Sequence, residues 1–241
     1  MLANIRIVLI GTKHPGNIGA VARAMKTMGL RQLYLVNPAE FPSNKAIAMS
    51  SNADDVLAQA IVVDSLDQAL IDCSLVVGTS ARQRKLPRPL LTPRPCAELM
   101  LKHASSQTVA LLFGREDTGL LNEELDRCHY HVTIPANPEY SSLNIAAAVQ
   151  VLCYEMRVAS LTEPEFRIKQ DDEFALASAD YVEEFYQHLQ QVLLKIQFLT
   201  PANAERVMRR LRRLFGRAVL ERKELNILRG ILSSISKRID G

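Results

Sequence analysis

Apolar and polar positions along the chain fall into short runs that alternate between two periods. Ile5 to Ile10 (IRIVLI) is an apolar run of strand length closed by a turn, the pattern of a strand buried on both faces. Gly11 to Gly16 reads as a loop. Asn17 then stands where it can cap a helix to about Met28, with Ile18, Val21, Ala22, Met25 and Met28 as its apolar face. The alternation recurs. Strands are predicted at Leu33–Val36, Ile61–Val63, Ser74–Val77, Val109–Phe113 and Tyr130–Ile134. Helices are predicted at Ala46–Gln59, Leu66–Ile71, Cys96–His103 and Glu123–Arg127. After Ile134-Pro135 a polar turn leads to a long apolar helix in which Ile145, Val149, Leu152 and Met156 share one face. Ser141 or Ser142 is its expected N-cap, because a hydroxyl there accepts a bond from a first-turn N–H.

Strands alternating with helices predict an α/β fold, a mostly parallel sheet with helices on both faces. Thr79 to Leu91 breaks the pattern. It carries four basic residues, two prolines and no acid, so no regular element is expected there. Beyond Leu161 the pattern changes again. Residues 163–173 read as a polar linker and 174–241 as purely helical, which divides the chain into an α/β domain (1–162), a linker and a small helical domain.

Composition adds little until charge is resolved along the chain. Hydrophobic residues are 48% and aromatics 5% with no Trp, so the cores must be aliphatic. No run reaches the roughly 18 apolar residues of a membrane span, and no signal-peptide pattern opens the chain. Four widely spaced cysteines without a C-x-x-C suit a reduced, cytoplasmic protein. His129 and His131 have no nearby cysteine or third histidine, so no metal site is expected. The formal charge of +3 hides an asymmetry. Residues 201–241 hold eleven basic and four acidic groups, whereas the preceding 200 residues are net acidic. A basic tail on an acidic body points to a polyanionic partner.

Ligands of parallel α/β sheets bind outside the carboxyl ends of the strands. Four loops leave such ends here: Gly11–Asn17, Gly78–Leu91, Gly114–Gly119 and Ala136–Ser142. The first lacks the G-x-G-x-x-G spacing, and no acidic residue ends the second strand, which disfavours a Rossmann oxidoreductase. No Ser-His-Asp set, carboxylate pair or P-loop is present, so hydrolytic and kinase chemistry lack candidates. Glycines 114 and 119 allow close backbone approach to a ligand, and Arg23, Arg82 and Arg84 bring positive charge to the same edge.

Three blocks carry a family resemblance. Asn17-Ile-Gly-Ala-Val-Ala-Arg23-Ala-Met-Lys resembles motif 1 of the SPOUT RNA methyltransferases that act on ribose 2′-hydroxyls. Leu112-Phe-Gly114-Arg-Glu116-Asp-Thr-Gly119-Leu120 resembles motif 2. Ile134-Pro135 with Ser141-Ser142-Leu143-Asn144, through Tyr154-Glu155, resembles motif 3. Val77-Gly-Thr-Ser-Ala-Arg82-Gln-Arg84 and Glu224-Leu-Asn-Ile-Leu-Arg229-Gly-Ile-Leu are similar to the TrmJ branch, the tRNA (cytidine/uridine-2′-O-)-methyltransferases.

The resemblance implies a C-terminal trefoil knot in the sheet domain, S-adenosyl-L-methionine as methyl donor, and a homodimer with active sites near the interface. By motif position the cofactor would lie against Thr79, Ser80, Ala81, Gly114, Ile134, Ser141, Ser142 and Leu143. Arg23, Ser142 and Asn17 would form the catalytic set, and Glu116, Gly119 and Asn144 would shape the motifs. The resemblance gives Arg23 a central role, either as the base or as a fork on the adjacent phosphate; the fork is preferred because guanidinium is effectively never deprotonated in proteins. The substrate implied is the ribose of cytidine or uridine at position 32 of the tRNA anticodon loop. Arg82 and Arg84, with Arg209, Arg210, Arg212, Arg213 and Arg217 of the tail, are the expected RNA contacts. The competing readings are a related enzyme for ribosomal RNA or another tRNA position, and a non-catalytic knotted RNA-binding module. The module predicts eroded motifs, whereas Arg23, Gly114, Glu116, Ser142 and Asn144 are all present.

Overall fold

The structure, a computed structural model, describes residues 1–80, 89–162 and 176–240. The chain divides into two compact units, Met1–Arg167 and Ile168–Gly241. In the first, strands β1 (Ile5–Ile10), β2 (Gln32–Val36), β3 (Ile61–Val63), β4 (Cys73–Thr79), β5 (Leu90–Leu91), β6 (Thr108–Phe113) and β7 (Tyr130–Val132) form one sheet in the order β3-β2-β1-β6-β4-β7-β5. Every strand pair in it is parallel. The helices are α1 (Pro15–Met28), α2 (Asn44–Ser50), α3 (Asp54–Ala58), α4 (Leu66–Leu70), α5 (Pro93–Ala104), α6 (Asn122–Leu125) and α7 (Ile145–Thr162).

Strand parity shows why both faces are covered. Ile5, Ile7 and Leu9 enter an aliphatic core with Leu33, Leu35, Leu75, Leu111 and residues of α1, α5 and α7. Arg6, Val8 and Ile10, of opposite parity, are buried as well. Arg6 crosses the second face to the end of α4. Its guanidinium donates to the carbonyls of Ala69 and Ile71 at 2.5 and 3.0 Å and lies 4.1 Å from the Tyr34 ring centre, so a buried charge closes a helix C-terminus.

Several expectations needed correction. The helix expected from Ala46 to Gln59 is two, because Ser51 and Asn52 take left-handed φ values of 46° and 69° between α2 and α3. Asn17 does not cap α1. The helix starts at Pro15, whose missing N–H costs nothing in the first turn, and Asn17 sits inside that turn. Leu90-Leu91, expected in an irregular loop, forms β5 by pairing with His131 and Val132. The serines do not cap α7 either. Asn144 does, its Oδ1 accepting from the Ala146 N–H at 2.8 Å.

The second unit holds α8 (Ala179–Lys195), α9 (Ala204–Ala218) and α10 (Arg222–Asp240) around Phe185, Tyr186, Leu189, Val192, Met208, Leu225 and Leu232. Phe185 meets Phe215 edge-on at 5.1 Å. Among the described residues no helix is long and apolar enough to cross a membrane.

Gly19 shows how tightly α1 lies on α2, since a Cβ there would stand 2.0 Å from the Ala46 carbonyl oxygen. Gly19→Ala is therefore expected to lower stability by about 1–3 kcal/mol in urea unfolding, overriding the higher helix propensity of alanine. Gly230→Ala on α10, where a Cβ meets nothing within 4 Å, should be neutral or stabilising in the same assay.

Candidate active site

The carboxyl ends of β1, β6, β4 and β7 lie side by side, so the loops after Ile10, Phe113, Thr79 and Val132 converge on one edge of the sheet. Thr79 Oγ1 donates to the Leu112 carbonyl at 2.9 Å, and the Ser80 N–H donates to the Val132 carbonyl at 3.0 Å. Both residues thus begin by tying the strand ends together. Gly114 leaves β6 into a hairpin closed by paired backbone bonds between Arg115 and Gly119. A Cβ at Gly114 would lie 2.0 Å from the Gly119 carbonyl carbon, so only glycine permits the closure. Gly119 has φ +68° and open space where a Cβ would stand.

Glu116, at the tip of that hairpin, gathers the other loops. Its carboxylate accepts from the backbone N–H groups of Lys13 and His14 at 3.0 and 3.2 Å and from Asn17 Nδ2 at 3.0 Å. Asn17 Oδ1 in turn accepts from Asn144 Nδ2 at 3.2 Å. Asn144 therefore caps α7 with its oxygen and reaches α1 with its nitrogen. Partial burial alone would raise the Glu116 pKa. The bonds from Lys13, Asn17, its own backbone N–H and His14 outweigh that and hold it below the ordinary carboxylate value.

A second brace lies beneath. Arg115 pairs with Glu124 at 2.9 Å, and Glu124 accepts from the Leu121 N–H at 2.7 Å at the start of α6. Gly11, with φ +60°, leaves room for this arginine: a Cβ there would be 2.9 Å from Arg115 Nε. Sequence reasoning missed Arg115 and Glu124. Nothing in their nine-residue spacing marks a pair.

The other expected site residues are placed as follows. Ser141, Ser142 and Leu143 are exposed just before Asn144, and Ile134 is half-buried after β7. Arg23 is exposed on α1, and its Nη1 lies 3.2 Å from Ser51 Oγ at the α2–α3 junction. It is not part of the Asn17–Glu116–Asn144 chain. Six residues of helix separate it from Asn17, about 9 Å along the axis. Ala81, Arg82 and Arg84 lie outside the described residues. Cys96 and Cys153 are buried, and burial pushes their thiols up to about 12, so neither is a nucleophile. Among the described residues no group of three or more His, Cys, Asp or Glu is placed to hold a metal ion.

In the helical unit the arginines separate into two sets. Arg212 is bidentate to Glu183 at 2.5 and 2.6 Å and lies 4.4 Å from the Tyr186 ring centre, and Arg209 pairs with Glu205 at 2.9 Å. Arg206, Arg210, Arg213 and Arg217 instead follow one another at spacings of four, three and four, which forms a single stripe on α9. Arg206, overlooked in the sequence, is found by that spacing. Arg212, one of the expected RNA contacts, thus also holds α9 on α8.

The family model described as SpoU rRNA Methylase matches residues 4–154. The chain is also 57% identical over 240 residues, with 100% of both chains covered, to the tRNA (cytidine/uridine-2′-O-)-methyltransferase TrmJ of Pectobacterium atrosepticum. The chain belongs to the SpoU methylase family, in its TrmJ branch. The model of the TrmJ C-terminal domain matches residues 180–241, the helical unit of this SpoU methylase. Among solved structures, TrmJ from Z. mobilis ZM4 is 33% identical with a TM-score of 0.84, covering 96% of this chain and 98% of that one. A probable methylase family protein from Haemophilus influenzae is 49% identical with a TM-score of 0.65, covering 100% and 99%.

Because the folded-state pKa of Glu116 is lowered, its contribution to stability is full above the ordinary carboxylate range and lost as pH falls through the lowered value. Glu116→Gln should cost roughly 1 kcal/mol in urea unfolding at pH 7, the low end for bonds to a charged group because the carboxylate is partly exposed. The same variant should flatten the acid limb of the stability profile.

Proposed function

We propose that this SpoU methylase transfers a methyl group from S-adenosyl-L-methionine to the ribose 2′-hydroxyl of cytidine or uridine at position 32 of the tRNA anticodon loop. The observation that carries this reading is the hydrogen-bonded chain Glu116–Asn17–Asn144. It joins all three motif blocks at the edge where a parallel sheet binds ligands. The activity named for the Pectobacterium atrosepticum relative supports the substrate class.

The residues at this edge fit the cofactor. Ile134, Leu143 and Leu121 offer partly exposed apolar walls, and the open side of Gly119 lets backbone come close. When bound, the cofactor supplies an electrophilic methyl on a sulfonium. Thr79, Ser80, Ala81, Gly114, Ile134, Ser141, Ser142 and Leu143 are proposed to hold it. Methyl transfer needs the 2′-oxygen in line with that carbon, so orientation is most of the protein's task. Asn17, with both ends of its amide in use, fixes the start of α1. Asn144 relieves both serines of capping, and Ser142 is proposed to bond the ribose or its phosphate. Arg23 forks onto the adjacent phosphate and stabilises developing oxyanion charge.

Two assembly features belong to this reading. The sheet order places β7 between β4 and β5, two strands consecutive in the chain, and this supports a trefoil knot in 1–162. On α7, Ala147, Val151, Tyr154, Val158 and Leu161 form a second apolar stripe opposite the one facing the core. Tyr154 and Leu161 are 51% and 69% exposed. Such a doubly apolar helix supports a homodimer that brings the exposed Arg23 face to a shared interface. The four free, buried cysteines suit a cytoplasmic enzyme.

The test is to treat tRNA with pure protein and labelled cofactor and map the methylated ribose, expected at position 32. Label at another position or in ribosomal RNA would select the competing substrates. In that assay Arg23→Ala should lose at least about 100-fold in kcat with cofactor affinity unchanged by calorimetry. Reversing Arg210 and Arg217 to Glu should weaken tRNA binding and reduce the slope of log K against log salt by roughly 1.5. An unchanged slope would make α9 an assembly element. Arg212→Glu should instead lower the thermal midpoint of the helical unit.

A further inference from the structure

Among the described residues, Tyr140 is the most exposed large hydrophobic side chain, at 81%. The other tyrosines with ring partners are held by the fold. Tyr34 stacks under Arg6, Tyr181 lies under Arg229 and bonds Asn226, and Tyr186 lies under Arg212 within its core. Tyr140 sits in the segment between β7 and α7, and this segment is pinned rather than loose. At its start the Thr133 N–H donates to the Leu91 carbonyl at 3.0 Å, and at its end Asn144 is tied to α1. Between them Asn137 makes a turn, its carbonyl accepting from the Tyr140 N–H at 2.9 Å and its Oδ1 from the Glu139 N–H at 3.1 Å. Pro135 and Pro138 fix two further φ angles. The loop thus holds an aromatic ring in solvent two residues before Ser142.

We propose that Tyr140 is the stacking platform for the base of the nucleotide whose ribose is methylated. This rests on the functional reading above, in which Ser142 holds that ribose. Two residues of chain span at most about 7 Å, which places the ring within reach of the base attached to the sugar at Ser142. A nucleotide in an RNA loop presents an unstacked base, and proteins capture such bases on aromatic side chains. Stacking is tolerant of base identity because every base has a π-face, which fits a site that takes either cytidine or uridine.

The experiment compares wild type, Tyr140→Phe and Tyr140→Ala on an anticodon stem-loop and on the same RNA with an abasic ribonucleotide that keeps its 2′-hydroxyl at the target position. Tyr140→Phe should stay close to wild type. Tyr140→Ala should lower kcat/KM on the intact RNA by about 5- to 150-fold. On the abasic RNA wild type and Tyr140→Ala should become equal. Affinity for S-adenosylhomocysteine and the sedimentation of the protein should be the same in all three. A penalty that persists on the abasic RNA, wild-type activity of Tyr140→Ala on intact RNA, or altered cofactor affinity or oligomeric state would overturn the proposal. Failure of the functional reading shows separately, as no methyl transfer by wild type to the intact RNA, and takes this proposal with it.

Discussion

A single carboxylate sets the geometry of the sheet edge. Glu116 draws in the backbone of Lys13 and His14 and the amide of Asn17, and through Asn17 it reaches Asn144. Each member uses its functional groups at both ends. Asn17 donates to one partner and accepts from another, and Asn144 donates to Asn17 while capping α7. Replacing any of them removes more than one bond at once. The start of α1, the hairpin after β6 and the start of α7 are therefore positioned as one object, although Asn17 stands 99 residues from Glu116 and 127 from Asn144 along the chain.

Small residues make that arrangement sterically possible. Gly114 closes the hairpin against its own far side, Gly11 admits the Arg115 guanidinium, and Gly19 lets α2 settle on α1. The consequence for Arg23 is direct. It follows Gly19 by one helical turn on the same stripe, so it emerges where α2 ends and meets Ser51. The close packing of α1 on α2 thus fixes where the Arg23 guanidinium, proposed to hold a phosphate, leaves the surface.

Most strands were legible because continuous apolar runs have no other stable use in a chain of this length. β1 and β3 match their apolar runs residue for residue. What escaped is governed by contacts between distant segments. Leu90-Leu91 is a strand only because β7 offers it an edge. The helix 46–59 breaks because Asn52 accepts a left-handed conformation that no apolar period reveals. The cap of α7 was assigned to the serines by local preference, yet Asn144 wins because it can satisfy Asn17 at the same time. The motif residues Asn17, Glu116 and Asn144 could be listed from resemblance, but their mutual bonding required the fold to bring them together.

Charge in the helical unit divides in the same way, between arginines paired within the fold and a stripe along α9. Counting basic residues treats Arg210 and Arg212 alike. In the fold, Arg212 is spent on Glu183 and Tyr186, and Arg229 on Glu184 and Tyr181. The stripe Arg206–Arg210–Arg213–Arg217 runs about 16 Å along α9, enough to follow several phosphates of one strand. Phosphate contacts give affinity and orientation without sequence information. On the proposed reading, choice of nucleotide would come from the strand-end loops, where Glu116 holds the backbone of Lys13 and His14 and the residues around Ser142 face solvent. On that reading the α9 stripe would supply affinity and the strand-end loops the choice of ribose.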